Sequence, residues 1–400
     1  MALYAEPRAA LREDEFLHIS PELDGAEPPA IRAVDRLHAD AVRLRASDIH
    51  LEPTRTGGRV RMRVDGILRG GDELPEGLFT PVVSRIKLMA AMDIAERRQP
   101  QDGCYVIERS GCILDARVSS MPTVSGEKLV IRLLDLQAET PSLESLGMAP
   151  VMLERYRSAV CAAHGFIVVC GPTGSGKTTT LYASLAQRDL ESTHVCTVED
   201  PVEVHMAGVA QVQVNPKAGL TFASALRAFL RQDPNVIMLG EMRDCESAGV
   251  AMSAALSGQL VMTTLHASDA VSAIQRLVEL GLSRHALACG LSAIVGQRLV
   301  RRLCPYCRKA EPSERGTVFE PAGCARCDRT GYKGRTGIFE LLLVTNEIRS
   351  AISSPELTLR LLELAARSGY EPMAVDALRL VRSGQTSASE LQRVVGLASR

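Results

Sequence analysis

Hydrophobic residues in the second half of the chain alternate between short continuous runs and helical spacings. The runs have the length of buried strands and cover residues 166–170, 194–198, 236–239 and 260–264. Amphipathic spacings between and before these runs predict helices over 151–160, 177–187, 221–231 and 244–257. Because strands and helices alternate, we predict a parallel or mostly parallel sheet with crossover helices.

The first half of the chain shows one amphipathic helix followed by short strands. Apolar positions recur at helical spacing from residue 29, and this helix is expected to end near Ser47 and Asp48. Strands are expected over 49–53, 58–64 and 66–69, with turn signals between them that favour a hairpin. A helix over 81–95 and a strand pair over 105–120 and 128–134 complete an α+β unit that ends near Asp135.

These patterns divide the chain into two folded regions and two connecting or terminal segments. Residues 1–28 are rich in Glu, Asp, Pro and Ala and predict a short, poorly ordered arm, followed by an α+β domain over 29–135. Residues 136–148 contain Pro141 and polar turn formers, which is typical of a linker. We expect residues 149–400 to form a larger α/β domain that ends in helices over about 340–400.

Composition and charge argue against several classes of function and location for this protein. The chain has 400 residues, 46% of them hydrophobic, and a net charge of −1, which argues against a protein that coats nucleic acid. No apolar signal segment is found at the N-terminus. The longest uncharged stretch, 247–267, contains Ser, Thr, Gly, Gln and His, so it suits a buried helix and strand rather than a membrane span. We therefore expect a cytosolic protein with no direct nucleic-acid partner.

One segment matches the phosphate-binding loop pattern G-x-x-x-x-G-K-[ST]. It follows the predicted strand 166–170 and precedes a predicted helix, so a glycine-rich turn without a ligand is disfavoured. Glycines allow backbone N–H groups to face phosphate oxygens, and a helix N-terminus favours an anion. Lys177 is expected to contact the β- and γ-phosphates, and Thr178 to hold Mg²⁺. The predicted nucleotide-binding residues are Gly171, Pro172, Thr173, Gly174, Ser175, Gly176, Lys177 and Thr178.

Acidic residues and one histidine follow the neighbouring predicted strands. Glu241 is the candidate that orders the Mg²⁺ shell or polarises the attacking water. Glu199 and Asp200 also end a strand, where gathered carboxylates make sense if a cation or water is held between them. His266 is a candidate sensor of the γ-phosphate, since ligands bind at the carboxyl ends of parallel strands. The alternatives are solvated carboxylates at strand ends and a structural histidine.

Four of the eleven cysteines are spaced like metal ligands. Cys304 and Cys307 form one C-x-x-C pair, and Cys324 and Cys327 form a second. Two such knuckles can hold one tetrahedral ion, and four thiolates select Zn²⁺ over hard cations. Coincidental cysteines and a redox pair are the alternatives. We expect a structural zinc ion in a subdomain near residues 303–330.

Taken together, the motifs resemble the ATPase family that drives type II secretion and type IV pilus assembly. The resemblance covers about residues 30–400. Besides the phosphate-binding loop, it rests on ASDIHLEP (46–53), RVDG (63–66), DIAERRQPQDG (93–103), RVSSMP (117–122), TVEDPVE (197–203), ALRAFLRQDP (225–234), GEMRD (240–244), TTLH (263–266), QRLVRRLC (297–304) and TGYKGRTGIFE (330–340).

The resemblance implies a RecA-like P-loop ATPase core of α/β class, with a zinc-binding tetracysteine subdomain and a smaller α+β, PAS-like N-terminal domain. It implies a homo-hexamer that hydrolyses ATP with Mg²⁺ in the cytoplasm and reaches the inner membrane only through platform proteins of the machine. The favoured role is pseudopilus assembly in type II secretion, and the alternative is type IV pilus assembly.

The same resemblance implies roles for individual residues. Glu241 matches the Walker B position, and His266 matches the histidine box. Glu199 and Asp200 match the acidic box. The arginines that match residues placed to sense or neutralise phosphate charge are Arg117 and Arg132 in the N-terminal domain, and Arg227 and Arg231 in the core.

Three residues depart from the family pattern. Cys104 stands where an arginine is common, Gln259 where a histidine is common, and Asn235 where an aspartate is common. We also expect the chain to lack most of the extra N-terminal domain through which related ATPases dock onto their platform. Two further functions are therefore alternatives: a catalytically weak, nucleotide-gated assembly protein, and a DNA-transfer motor.

Overall fold

The computed structural model describes residues 28–109, 111–137, 140–313, 316–354 and 357–396. The predicted N-terminal arm over residues 1–28 therefore lies outside the described residues except for Pro28. The chain divides into two compact units, one up to residue 138 and one from residue 139 onward. Within the described ranges, no helix has the length and apolar character that a membrane span requires.

The first unit contains an antiparallel sheet and two helices. Its elements are α1 (Pro29–Leu44), β1 (Asp48–Thr54), β2 (Gly57–Val64), β3 (Ile67–Arg69), β4 (Glu73–Pro75), α2 (Glu76–Met89), β5 (Gln101–Arg109), β6 (Cys112–Thr123) and β7 (Gly126–Asp135). The strands lie in the order β3-β2-β1-β7-β6-β5, and β4 pairs with β2. All of these pairings are antiparallel.

Alternation along the strands gives this sheet one apolar face. In β6, Ala116 and Val118 are buried and belong to one hydrophobic cluster with residues of α1 and α2. Arg117 lies between them and therefore projects from the opposite face, because successive side chains of a strand alternate. The predicted α+β unit is present, and its polar face carries the charged residues of β1, β2, β6 and β7.

The second helix of this unit differs from the prediction at both ends. We expected a helix over residues 81–95, but α2 begins at Glu76 and ends at Met89. Pro81 is favourable at a helix start, yet here it lies inside the helix, after a first turn whose Leu78 and Phe79 are buried. The helix ends because Ala91 adopts a left-handed backbone conformation, with φ of 55°.

The second unit combines a second seven-stranded sheet with most of the described helices. Its elements are α3 (Pro150–Val160), β8 (Gly165–Cys170), α4 (Lys177–Leu185), β9 (Val195–Glu199), β10 (Val209–Gln213), α5 (Phe222–Phe229), β11 (Val236–Leu239), α6 (Cys245–Leu256), β12 (Leu260–Leu265), α7 (Ala270–Glu279), α8 (Arg284–Gly290), β13 (Leu291–Leu303), β14 (Lys309–Ser313), β15 (Gly316–Glu320), β16 (Tyr332–Leu343), α9 (Asn346–Ser353), α10 (Leu357–Arg367), α11 (Met373–Arg382) and α12 (Ala388–Val395).

The sheet of the second unit is mostly parallel, as predicted. Its strand order is β10-β9-β11-β12-β8-β13-β16, and every neighbouring pair is parallel except β13 and β16. Both faces are covered. In β8, Phe166 and Val168 belong to one hydrophobic cluster, whereas Ile167 and Val169 belong to another. The predicted RecA-like α/β class is confirmed.

Five strands of the second unit were not predicted as strands. β10 is one of them, and β13 and β16 form the antiparallel edge of the large sheet. β14 and β15 form a separate two-stranded sheet between the two C-x-x-C pairs. Because β16 continues to Leu343, the C-terminal helices begin at Asn346 rather than near residue 340. The arginines of β13 interrupt its apolar alternation, which hid the strand from pattern analysis.

A buried carboxylate joins the last helix to β13. Glu390 of α12 accepts hydrogen bonds from the backbone N–H and the guanidinium of Arg301 and from the guanidinium of Arg393. The Arg301 guanidinium also lies 3.9 Å from the ring centroid of Tyr332. Burial would raise the pKa of Glu390, but the hydrogen bonds from Arg393 and Arg301 outweigh it and lower the pKa to about 2.

We predict that Glu390→Gln destabilises the second unit at pH 7 by about 3 kcal/mol, because Arg301 and Arg393 lose the buried carboxylate that they share. The folded-state pKa is lowered, so this stabilisation is present above the ordinary value of 4.5 and declines as the pH falls towards about 2. Urea denaturation followed by circular dichroism at several pH values measures the difference. Glu279→Gln, which breaks an exposed pair with Arg276, is the control and should change stability by less than about 1 kcal/mol. An equal effect of both variants would contradict the prediction.

Candidate functional site

The glycine-rich loop connects β8 to α4 at the carboxyl edge of the parallel sheet. Gly174 and Gly176 adopt left-handed conformations with φ of 74° and 85°, and Gly176 is the residue that caps α4. These values favour glycine because a side chain there would be strained. The loop therefore closes tightly onto the N-terminus of α4, where backbone N–H groups lack partners within the helix.

Lys177 is buried at the centre of this loop. Its Nζ donates to the carbonyl oxygens of Gly171 and Pro172 at 2.9 and 3.0 Å. Burial lowers the pKa of the Lys177 ammonium, and the carboxylate of Glu241 acts in the opposite direction. A cation is thus held where the loop, the helix terminus and Glu241 meet.

The loop fits a phosphate group. Ser175 is buried, and its hydroxyl has no hydrogen-bond partner within the described structure. A Cβ on Gly171 would lie only 2.5 Å from both that hydroxyl and the carbonyl oxygen of Gln297, so the space is shaped by the absence of a side chain. An unpartnered donor, a lysine and a helix N-terminus together suit an anion. Thr178 follows Lys177 and is half-buried.

Glu241 and His266 lie close together after neighbouring strands. The His266 Nε2 atom is 3.9 Å from Oε2 of Glu241, and the other oxygen of Glu241 contacts Arg243. Arg243 also lies 3.9 Å from a carboxylate oxygen of Asp200. Burial lowers the pKa of His266 below 6.5, and Lys177 adds to the effect, whereas Glu241 raises the pKa. The arrangement favours a neutral imidazole next to an ionised carboxylate.

Glu199 has a different environment from Asp200. Its side chain is buried, and both oxygens accept hydrogen bonds from protein donors. The hydroxyl of Tyr182 donates to one oxygen, while Thr197 and Gln211 donate to the other at 2.6 and 3.2 Å. Because Tyr182 belongs to α4, Glu199 ties the end of β9 to the helix that follows the loop. The geometry favours a positioning role for Glu199, and its predicted catalytic role stays a prediction.

The predicted phosphate-sensing arginines lie in two separate regions. Arg227 of α5 contacts Glu246 at 2.6 Å, and Arg231, just after this helix, donates to the carbonyl oxygen of Arg227. Arg117 and Arg132 belong to the first unit, where they face each other across β6 and β7. Their roles towards a nucleotide stay predictions.

Carboxylates accompany the two arginines of the first unit. Arg117 contacts Asp115 at 3.0 Å, and Arg132 contacts Asp48 at 3.3 Å. Cys104 faces Arg117 across the β5–β6 pair and is exposed. A neutral thiol therefore stands beside Arg117 at the position where the family pattern has an arginine.

The other two departures from the family pattern lie around the large sheet. The Asn235 side-chain oxygen accepts a hydrogen bond from the backbone N–H of His194 at 2.8 Å. An amide oxygen can therefore form this local hydrogen bond in place of an aspartate carboxylate. The side-chain oxygen of Gln259 is buried and has no partner in the described part of the chain. Asn235 has a structural explanation, and nothing in the structure explains the choice of Gln259.

The four predicted metal-ligating cysteines lie together. The Sγ distances are 3.9 Å for Cys304 and Cys324, 3.8 Å for Cys307 and Cys327, and 3.7 Å for Cys324 and Cys327. A tetrahedral zinc ion with Zn–S bonds of about 2.3 Å would separate its sulfurs by about 3.8 Å. The Sγ of Cys327 also accepts the backbone N–H of Gly331 at 3.3 Å, which suits a thiolate. The cluster therefore fits one Zn²⁺ ion.

Two side chains in this region were not predicted as site residues. Arg243 contacts the carboxylates of Glu241 and Asp200, and the GEMRD motif could have identified it. Gln297 contacts the glycine-rich loop from β13. It belongs to a motif that we quoted, but its position behind the loop depends on a strand that the pattern did not predict.

Comparison with known proteins gives consistent similarities. A family model described as Type II/IV secretion system protein matches residues 24–393. The chain is 48% identical over 371 residues to the type II secretion system protein HxcR of Pseudomonas aeruginosa, which covers 93% of this chain and 78% of that protein. It is 43% identical over 386 residues to the type IV pilus assembly ATPase PilB of Thermus thermophilus, covering 92% of this chain and 43% of PilB.

A solved structure is also similar. The structure of the pilus retraction motor PilT with bound ADP matches with a TM-score of 0.61 and 26% sequence identity, covering 90% of this chain and 95% of that one. Because 90% of this chain is covered, the aligned part includes residues of both units.

We predict that His266 titrates below pH 6.5 and that Glu241→Gln lowers its pKa further, because the variant removes the negative charge that favours the imidazolium. NMR titration of ¹³C-labelled histidine side chains measures both values. Glu279→Gln, a distant exposed carboxylate on α7, is the control and should leave the titration unchanged. A midpoint above 6.5, or one that Glu241→Gln leaves in place, would show that the two side chains do not interact as described.

Proposed function

The chain belongs to the type II/IV secretion system protein family, and we propose that it is a Mg²⁺-dependent ATPase that drives pseudopilus assembly in type II protein secretion. The observation that carries this proposal is that Glu241 and the buried Lys177 of the glycine-rich loop both lie at the carboxyl edge of the parallel sheet, after β11 and β8. Such a pair is what phosphoryl transfer to water requires: a cation for the phosphates and a carboxylate near the attacking molecule.

The first step of the proposed reaction is nucleotide binding. The backbone N–H groups of the loop and the N-terminus of α4 would bind the phosphates of ATP, with Lys177 exchanging its loop carbonyl partners for phosphate oxygens. Thr178 would hold Mg²⁺, which neutralises phosphate charge when bound. The orphan hydroxyl of Ser175 is a further donor that faces the loop interior.

The second step is attack by water on the γ-phosphorus. Glu241 would orient this water and accept hydrogen bonds from it, and the neutral imidazole of His266 can donate one hydrogen bond towards the γ-phosphate side. Asp200 lies on the far side of Arg243 and would help to orient that arginine. Glu199 would act by holding α4 against β9, as its hydrogen bonds indicate.

The coupling of ATP hydrolysis to motion would involve several copies of the chain. We infer a homo-hexamer in which Arg117, Arg132, Arg227 and Arg231 sense phosphate charge. An arginine suits this role because its guanidinium stays charged and forms paired hydrogen bonds with phosphate oxygens. The assembly would act in the cytoplasm and reach the inner membrane through platform proteins. The family resemblance supports this arrangement.

A second function, type IV pilus assembly, is favoured by one specific observation. The chain is 43% identical over 386 residues to a protein named as a type IV pilus assembly ATPase. Both systems polymerise pilin-like subunits, so the same site chemistry serves either one. Neighbouring genes for a secretin with pseudopilins would favour secretion, and genes for pilins would favour pilus assembly.

We also propose that the tetracysteine cluster binds a structural zinc ion. The sulfur distances match a closed tetrahedral site, in which the four thiolates leave no position for substrate. The ion would fix the β14–β15 hairpin between the two knuckles, because the ligands lie on both sides of it.

We predict that Glu241→Gln leaves the dissociation constant for ATP within about threefold of the wild-type value, while turnover falls by about a hundredfold or more. Gln keeps the shape of the side chain but cannot act as a carboxylate. Steady-state phosphate release and binding of a fluorescent nucleotide measure the two quantities, with Glu279→Gln as control. In a strain without its own copy, wild type should restore export and Glu241→Gln should not. Unchanged turnover would refute the assignment of Glu241.

We predict about one zinc ion per freshly purified chain, measured by elemental analysis. Cys307→Ser should reduce this content strongly, because a serine hydroxyl is a poor replacement for a thiolate ligand. Cys161→Ser is the matched control, since Cys161 is an exposed cysteine outside the cluster, and it should keep the metal. A wild-type zinc content below about half an equivalent would count against the site.

A further inference from the structure

Gln297 lies directly behind the glycine-rich loop. It belongs to β13, whose neighbours in the sheet are β8 on one side and β16 on the other. The side chain is 2% exposed. A buried amide must satisfy its donors and acceptor within the protein, and the partners that it finds show what it orients.

Both ends of the Gln297 amide form hydrogen bonds. The Nε2 atom donates to the carbonyl oxygen of Ser175 at 2.8 Å. The Oε1 atom accepts from the hydroxyl of Thr180, on the first turn of α4, at 2.7 Å. Because the Ser175 carbonyl can only accept, the amide must turn its NH₂ end towards the loop, and the Thr180 hydroxyl then donates to the other end.

This contact determines the direction of one loop N–H group. The carbonyl of Ser175 and the N–H of Gly176 belong to the same trans peptide plane and point in opposite directions. Because Gln297 holds the carbonyl against β13, the Gly176 N–H is turned away from β13. Rotation of this peptide would require the loss of the Gln297 bond.

Two glycines of the loop pack closely against Gln297. A Cβ on Gly176 would lie 2.9 Å from Nε2 of Gln297, and a Cβ on Gly171 would lie 2.5 Å from its carbonyl oxygen. The side chain and backbone of Gln297 therefore form the wall against which the loop closes. Any side chain at these two positions would push the loop away from that wall.

We propose that Gln297 is a positioning residue for nucleotide binding, which holds the Ser175–Gly176 peptide so that its N–H faces the phosphates. This inference rests on the proposed function, since it concerns the same site. Backbone N–H groups in such loops bind the α- and β-phosphates, which are present in ATP and ADP alike. Gln297 therefore contributes to the affinity for both nucleotides rather than to the transition state alone.

The test compares variants that remove one or both hydrogen bonds of the Gln297 amide. Gln297→Glu keeps an acceptor for Thr180 but places an oxygen against the Ser175 carbonyl, and Gln297→Met removes both bonds at similar volume. Thr180→Val removes only the hydrogen bond that anchors Oε1 of Gln297, and Thr180→Ser keeps a hydroxyl as its matched control. The dissociation constants of ATP and ADP, KM, kcat and the melting temperature are measured for each full-length chain.

We predict that Gln297→Glu and Gln297→Met raise the dissociation constants of ATP and ADP in parallel, by about tenfold, with kcat at saturation changed less than about threefold. Thr180→Val should raise them by about threefold, and Thr180→Ser should restore them. If Gln297 only stabilised the fold, its substitution would lower the melting temperature without raising KM more than it changes kcat.

Affinities within about twofold of wild type in a folded Gln297→Glu chain would overturn the inference. If neither Gln297 variant folds, the Thr180 pair decides: equal affinity of Thr180→Val and Thr180→Ser would overturn it. The wild-type chain separates this result from a failure of the proposed function. If wild type binds neither nucleotide, the proposed ATPase is refuted, whereas a wild type that binds and hydrolyses ATP leaves only Gln297 in question.

Discussion

The site depends on the parallel register of four buried strands. Cys170 at the end of β8 lies beside Leu265 of β12, and Leu239 of β11 lies beside Val198 of β9. Parallel strands end at the same edge of a sheet, so the residues that follow them share one surface. Lys177, Glu241 and His266 come from segments far apart in the chain, and this register is what brings them within electrostatic reach.

The sequence predicted the residues whose role is local. The glycine-rich loop, the strands beside it and the cysteine pairs each leave a signal within a few neighbouring positions. Gln297 leaves no such signal, because its role depends on its contact with Thr180 across the fold. Glu199 was a candidate because it ends a strand, but that position did not predict its contact with Tyr182 of α4. The antiparallel edge formed by β13 and β16 was missed for a related reason: Arg298 and Arg301 break the apolar pattern. Their guanidinium groups have partners far along the chain, the Ser268 carbonyl for Arg298 and the Glu390 carboxylate for Arg301.

The first unit shows how an antiparallel sheet can group charge without a local motif. Cys104, Arg117, Arg132 and Asp48 occupy directly opposite positions on β5, β6, β7 and β1. Opposite residues share a face, so these side chains form one row across four strands. The row contains two arginines and one carboxylate, and the thiol at its edge replaces an expected third arginine. The positive charge that this face can present is therefore smaller than the family pattern predicts.

β13 also has a mechanical consequence. Within this strand, Leu303 lies six positions after Gln297, which is about 20 Å of extended backbone. This segment is paired with β16 on one side, and an extended backbone has little length to give, so a displacement of the Cys304 knuckle would be transmitted along the strand towards the phosphate loop. The pairing with β16 is irregular between Arg301 and Leu303, and this is the place where the strand can bend instead. The cysteine cluster and the loop are therefore two ends of one stiff element with a single joint near the metal end.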